Sequence, residues 1–351
     1  MADPPISQRK LDHIRVSLEE DVQASEISTG FDRYRFVHNA LPQLDLSEVD
    51  TSVTVFSKVL AAPLIISSMT GGTEMARSIN RHLAEASQKL GVGLALGSER
   101  AAIEHPSLVD TYRVRDVAPD ILLLANLGAV QLNYGFGADE CLRAVENMRA
   151  DALVLHLNPL QECLQGGGNT NFAGLLQKIG ELTKRLAVPI VVKEVGWGIS
   201  RAVARQMADA GVSAIDTAGA GGTSWSEVEK HLAQSEDRRA IAESFASWGI
   251  PTSESILACR AGAPESLIIG SGGIRTGIDA AKAIALGADL VGIGRPLLRP
   301  ATVTAAAVEK QIHRFIEELR IAMFCTGARQ LEALRAVELR RPWIAPPEEP
   351  R

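Results

Sequence analysis

Only four cysteines occur in the 351 residues, at positions 141, 163, 259 and 325. They stand far apart, with no Cys-X-X-Cys pair and no interleaved histidines, so a zinc site and a dithiol redox motif are both excluded by spacing. Isolated cysteines in helix-like or core-like stretches are expected to be small buried apolar residues. No run of about 18 apolar residues is present, which excludes a membrane-spanning helix. The polar start MADPPISQRK does not read as a signal peptide, and a cytoplasmic protein is the expectation. Positive charge is not in excess either, since 36 Lys and Arg face 42 Asp and Glu for a net charge of −6. General binding to nucleic acid or to anionic membrane is therefore not expected. An anionic ligand must instead be gripped by a local cluster.

What is present is a long alternation. Apolar residues make up 46% and charged residues 22%, as in a soluble chain with a large core. From about residue 61, short apolar runs alternate with amphipathic stretches, the pattern of parallel βα units. Strands are predicted at 63–67, 92–96, 121–125, 152–157, 189–193, 214–216, 266–269 and 290–293. Helical patterns lie between them, at 74–90, 138–149, 172–186, 201–210, 253–261 and 277–286. Eight such units imply a closed (β/α)₈ barrel over 61–340. A doubly wound sheet usually has fewer strands, and no Gly-X-Gly-X-X-Gly follows the first one. Residues 1–60 form an N-terminal extension covering the barrel mouth, with a helix near 7–20. The polar stretch 224–247 reads as an inserted loop over that mouth, and 341–351 as a frayed tail.

Barrel enzymes place their chemistry at the C-terminal ends of the strands, and here those ends are polar or rich in glycine. Ser271-Gly272-Gly273-Ile274-Arg275 follows strand seven, and Gly294-Arg295 follows strand eight. Glycines let backbone N–H groups approach a phosphate, and the arginines add charge; the bland alternative is tight turns with surface arginines. Lys193 ends an apolar run, where it either meets an anion in the mouth or pairs with a neighbouring carboxylate. Ser67, Ser68 and Met69 after strand one, with Asn126 after strand three, suit the edge of a flat heteroaromatic ring. The segment His156-Leu157-Asn158-Pro159-Leu160-Gln161-Glu162 presents an imidazole, two amides and a carboxylate. Its lone carboxylate suits Mg²⁺ only if a substrate's phosphates supply other oxygens. His156 is either a general acid–base or a hydrogen-bonding group. Arg9, Lys10 and His13 lie on adjacent turns of the first helix, as a solvated face or as an anion clamp, and Arg100 is a further anion contact.

In this order, RKLDH, SSMTGG, GSER, ANLG, HLNPLQE, VKEVGWG, GAGGTSW, SGGIR and GRP resemble the type 2, FMN-dependent isopentenyl diphosphate isomerases over nearly the whole chain. The resemblance implies FMN contacts at Ser67, Ser68, Met69, Ser98, Asn126, Lys193, Thr223, Gly272 to Arg275, Gly294 and Arg295. It implies substrate contacts at Arg9, Lys10, Ser98, Glu99, Arg100, His156, Asn158 and Gln161, with His13 also holding the diphosphate and Glu162 as the magnesium ligand. Gln161 and His156 stand as the catalytic candidates. The implied reaction interconverts isopentenyl and dimethylallyl diphosphate on reduced FMN, with NADPH as reductant and Mg²⁺, in a homo-oligomer (a tetramer or octamer). Two positions depart from the family pattern. Glutamine is common where Glu99 stands, and serine-glycine-arginine where Ala218-Gly219-Ala220 stands. An α-hydroxy-acid oxidase, the rival FMN barrel, needs a histidine base after strand six, where this chain reads DTAGAGGTSW. A barrel that merely binds phosphate would have no reason to combine Gln161 and Glu162 with Arg9 and Lys10.

Overall fold

The computed structural model describes residues 6–340. Eight parallel strands close into a barrel: β1 (Leu64–Ile66), β2 (Gly93–Ala95), β3 (Leu123–Gly128), β4 (Ala152–Leu157), β5 (Ile190–Glu194), β6 (Ala214–Asp216), β7 (Leu267–Ser271) and β8 (Leu290–Ile293). Closure is made by β8 against β1, with Val291 opposite Leu64. The strand centres match the sequence expectation, while several ends move by one to three residues, as hydrogen bonding and not hydropathy decides where pairing stops.

Strand parity sets up the site. Ile65, Ala95, Leu124, Val154, Val191, Ala214, Ile269 and Leu290 belong to the packed barrel interior. Side chains two residues apart share a face. The next inward layer is therefore Ser67, Gly97, Asn126, His156, Lys193, Asp216, Ser271 and Gly292. An apolar plug thus passes directly into a polar or small-residue rim at the mouth. At the opposite end, the hairpin of Val53–Val55 and Lys58–Leu60 adds Val55 and Leu60 to the interior cluster and stops the barrel bottom. The alternate strand residues, such as Leu64, Leu153 and Val192, pack outward against the helices.

The helix Ile6–Glu19 begins the described chain, and the tail expected at 341–351 lies outside the described residues. The segment 224–247 is not a loop. It forms two helices, Trp225–Leu232 and Glu236–Glu243. Trp225, Val228 and Leu232 supply an apolar stripe that the surrounding polar residues hide, and it packs on Val16 and Val22 as a small separate core. The cysteine expectation holds for the buried Cys141 and Cys259, whereas Cys325 is half-buried and Cys163 is exposed on the short helix Pro159–Leu164. No helix among the described residues is long and apolar enough to cross a membrane.

Candidate active site

A cavity of ≈ 630 Å³ opens at the C-terminal ends of the strands, a volume within the usual range for a bound cofactor or substrate. Its floor is the polar rim of the barrel. Its roof comes from the N-terminal helix, through Arg9, Lys10, His13, Ile14 and Ser17, and from Trp225 of the inserted helix. Every residue expected at a ligand lines it except Glu99, which is fully buried behind the wall.

On the β7–β8 side the backbone forms a tight cradle. Gly273 has φ +67°, and a Cβ there would lie 2.6 Å from Gly221 O, so only glycine fits. No hydrogen bond takes up the N–H groups of Gly272, Gly273 or Ile274. Arg275 donates from Nη2 to Gln23 Oε1 at 2.6 Å. Arg295 donates to the carbonyls of Ser17 at 3.3 Å and Glu20 at 3.0 Å, and Arg299 to that of Leu18 at 2.5 Å. These cations cap the carbonyl end of the N-terminal helix while bordering the cradle. Burial lowers the Arg295 pKa, with Asp21 opposing and Arg275 and Arg299 adding to the fall.

The β3–β4 corner is locked. Asn126 Nδ2 donates to Ser68 Oγ at 2.7 Å, which leaves its Oδ1 facing His156 Nδ1 at 2.8 Å. The imidazole therefore donates from Nδ1 and keeps its lone pair on Nε2. Burial lowers its pKa to about 3, with Lys193 and Lys10 adding to the fall. Lys193 Nζ donates to the carbonyl of Glu194 at 2.5 Å. The Glu194 carboxylate faces away from it, its Oε2 accepting the N–H groups of Val195, Gly196 and Trp197 at 2.6–2.7 Å. Asp216, beside Lys193 in the sheet, accepts from Ser271 Oγ, and burial raises its pKa against Lys193 and that bond.

Between floor and roof runs a chain of amides and carboxylates. Glu162 Oε2 accepts from Gln165 Nε2 and from the Asn169 N–H, both at 2.5 Å, and its Oε1 accepts from Asn158 Nδ2 at 2.9 Å. Gln161 Oε1 accepts from Asn158 Nδ2 at 3.1 Å, and its Nε2 donates to Glu229 Oε1 at 3.3 Å. His13 Nε2 lies 3.4 Å from the same Glu229 oxygen without hydrogen-bond geometry, its ring edge-on to Trp225. Lys10 Nζ donates to Ser98 O at 2.7 Å and to Tyr112 Oη at 2.5 Å. Arg100 Nε is engaged by Glu104 at 2.8 Å. Burial brings the Lys10 pKa down to about 7 and pushes that of Glu99 up to about 8.

Comparison with known proteins decides the family. The model of FMN-dependent dehydrogenases matches residues 2–105 and 169–341. An isopentenyl-diphosphate delta-isomerase of Synechocystis sp. is 53% identical over 94% of this chain and 95% of its own. The isomerases of Nostoc sp. and Stutzerimonas stutzeri are each 51% identical, over 93% and 97% of this chain and 93% and 98% of theirs. The chain belongs to the FMN-dependent isopentenyl-diphosphate delta-isomerase family. Solved structures share the barrel at low identity. A lactate oxidase of Pediococcus acidilactici superposes with a TM-score of 0.67 at 16% identity over 96% of this chain and 93% of that one. A mandelate oxidase variant gives 0.63 at 18%, over 95% and 98%. These likenesses concern the fold alone.

The site residues fit the family's cofactor. Ser67 Oγ is buried without a partner at the rim, and residues 272–274, whose N–H groups make no hydrogen bond, line the same cavity. Native proteins rarely leave such groups unsatisfied unless a ligand or water takes them. Asn158 Oδ1 and His13 Nε2 are orphaned in the same cavity, nearer the roof. A divalent cation fits more narrowly. A carboxylate offers about four lone-pair sites. Three on Glu162 are taken, leaving one on Oε1, and no group of three or more metal-ligating side chains exists among the described residues. Glu162 could hold a Mg²⁺ by one oxygen only, with water or ligand phosphates filling the other positions.

Sequence reasoning missed Glu229 and Tyr112. Glu229 was obscured by the polar composition of its segment, although the spacing of Trp225, Val228 and Leu232 marks a helix whose buried side also carries the acid. Tyr112 is fully buried and contacts Lys10 across 102 residues, with no local signal.

Proposed function

We propose that this chain interconverts isopentenyl diphosphate and dimethylallyl diphosphate by moving a proton on at the terminal alkene carbon and another off at C2, with no net redox change. The observation that carries the reading is one cavity with two separate anion grips. The cradle of Gly272–Arg275 and Gly294–Arg295 suits the FMN phosphate, with Ser67, Ser68, Met69, Ser98, Asn126, Lys193 and Thr223 along the flavin. Arg9, Lys10, His13 and Arg100 stand across the cavity with Glu162, where a substrate diphosphate and its Mg²⁺ would be held. Reduced FMN, with NADPH as reductant, would supply an exchangeable N5 proton.

The chain's own groups have distinct tasks in this reading. Lys193, in the cavity floor, would set a cation beside the flavin and favour an anionic form there. His156, neutral and clamped by Asn126, orients substrate as a hydrogen-bonding group; a base with pKa near 3 is not a proton donor at neutral pH. Gln161 is an amide and a poor acid, so it positions the allylic carbons. Glu229 accepts from Gln161 Nε2 at 3.3 Å and so fixes which way that amide faces. The roof of Ile14 and Trp225 covers the apolar part of the substrate and keeps water from it. The same reading carries a cytoplasmic homo-oligomer, a tetramer or octamer.

The test is anaerobic incubation of the purified protein with FMN, NADPH, Mg²⁺ and isopentenyl diphosphate. Dimethylallyl diphosphate is the expected product. Its absence, with flavin demonstrably bound and reduced, overturns the proposal.

A further inference from the structure

Glu99 carries a carboxyl that the local backbone does not require. It precedes the short helix Arg100–Glu104 from a fully buried position. Its Oε1 accepts the backbone N–H of Asn126 at 3.0 Å, a bond an amide oxygen would accept equally well. Its Oε2 has no hydrogen-bond partner. A buried carboxylate oxygen with no donor is costly, so the group must be either neutralised or matched by a nearby cation.

The nearby cation is Lys10, on the cavity side. Its Nζ is held by two neutral acceptors, Ser98 O and Tyr112 Oη, and not by a carboxylate. Ser98 is the residue before Glu99, so the ammonium is anchored next to the buried acid. The other groups facing the pair are Arg9 on the N-terminal helix, Arg100 and Glu104 after β2, and the buried Tyr112 hydroxyl. His156 faces Lys10 from β4. Burial works against charge on both members, and Arg9 and Arg100 disfavour the ammonium while Glu99 supports it. Burial lowers Lys10 and raises Glu99, and the one arrangement that leaves no charge in the wall, an amine beside a carboxylic acid, carries a single proton on the pair.

We propose that Glu99, though walled off from the cavity, is a positioning residue for anion binding that acts through Lys10: the empty site keeps one proton on the pair, and an arriving diphosphate draws in protons until both groups carry one. This rests on the reading of Arg9, Lys10 and Arg100 as the diphosphate grip. The protons come from solvent, and only N–H and O–H bonds form. A neutral Glu99 leaves the full positive charge of Lys10 for the ligand, whereas an ionised Glu99 would spend that charge within the wall.

The linkage relation supplies the test, because the slope of log Kd against pH counts protons taken up on binding. The FMN-loaded protein and its Glu99→Gln variant are titrated with inorganic diphosphate by calorimetry between about pH 6.5 and about pH 9.5. The ligand's own ionisation is common to both and cancels in the comparison. Above about pH 8 the wild-type slope should exceed the variant's by up to one, so that by pH 9.5 the wild type has lost about ten-fold more affinity. A second measurement needs no variant. Wild-type binding heats in buffers of different ionisation enthalpy should show more proton uptake than the ionisation of free diphosphate accounts for. Parallel slopes, or uptake no greater than the ligand's own, overturn the inference while leaving the diphosphate grip standing. Failure of the wild type to bind diphosphate overturns both.

Discussion

Replacing Glu162 by glutamine separates structural from chemical roles in one residue. The carboxylate accepts three hydrogen bonds, from Gln165 Nε2, the Asn169 N–H and Asn158 Nδ2. A glutamine retains one accepting oxygen and turns an amide against the donors on the other side. Each bond to a charged group contributes about 2 kcal/mol and each neutral one about 1 kcal/mol, and one stranded donor adds about 1–2 kcal/mol. The expected loss is therefore about 5–6 kcal/mol. The melting entropy of a chain this long is roughly 0.7 kcal/mol/K, so Tm should fall by about 7–9 °C. Loss of charge also removes the one oxygen open to a cation. Thermal melts with and without Mg²⁺, flavin absorbance and turnover measure all three effects. Glu162→Gln should keep its FMN while losing Mg²⁺-dependent turnover. Loss of flavin, or an unchanged response to Mg²⁺, refutes the division of the cavity into a flavin side and a metal side.

Other expectations follow from the same geometry. Arg295→Met should weaken FMN binding by about ten- to a hundred-fold, the worth of a charge-assisted bond, in a fluorescence titration of apoprotein; unchanged affinity would place the phosphate elsewhere. The His156 pKa is depressed in the fold, so the folded state takes up fewer protons than the unfolded chain and stability falls as pH drops from about 6.5 towards about 3. By pH 5 this amounts to about 1–2 kcal/mol, and His156→Asn should show a correspondingly flatter denaturant-midpoint curve over that range; parallel curves would contradict it. Val228→Ala empties part of the small roof core, at a cost of about 1–2 kcal/mol. Its mark should be faster amide exchange in the helix Trp225–Leu232, with barrel strands unchanged.

The barrel was readable because each strand is an apolar run buried on both faces, and glycine or polar residues punctuate its end. The inward layer Asn126, His156 and Lys193 was readable for a related reason, as polar residues closing apolar runs announce themselves. Glu99 reads locally as one more polar residue of GSER, yet the fold buries it completely. The neighbours that decide its character, Lys10 and Asn126, come from the N-terminal helix and from β3. The roof failed for another reason. Its apolar stripe has only Trp225, Val228 and Leu232 and finds its counterpart at Val16 and Val22, so the helix is stabilised mainly by packing that no local window contains.

The arginine caps on the N-terminal helix have a consequence for how the molecule is made. Arg295 and Arg299 reach carbonyls 275 to 281 residues earlier in the chain. At a synthesis rate of roughly 5–20 residues per second, that helix waits on the order of 14–55 s for these caps. A helix of 14 residues has little stability alone, so in that interval it depends on earlier partners, Ser98 and Tyr112 against Lys10 and then the stripe of Trp225, Val228 and Leu232. Strand β8, which completes the barrel, ends at Ile293, immediately before Gly294 and Arg295. Barrel closure and the arginine caps thus become possible at the same moment of translation, and with them the second half of the flavin cradle.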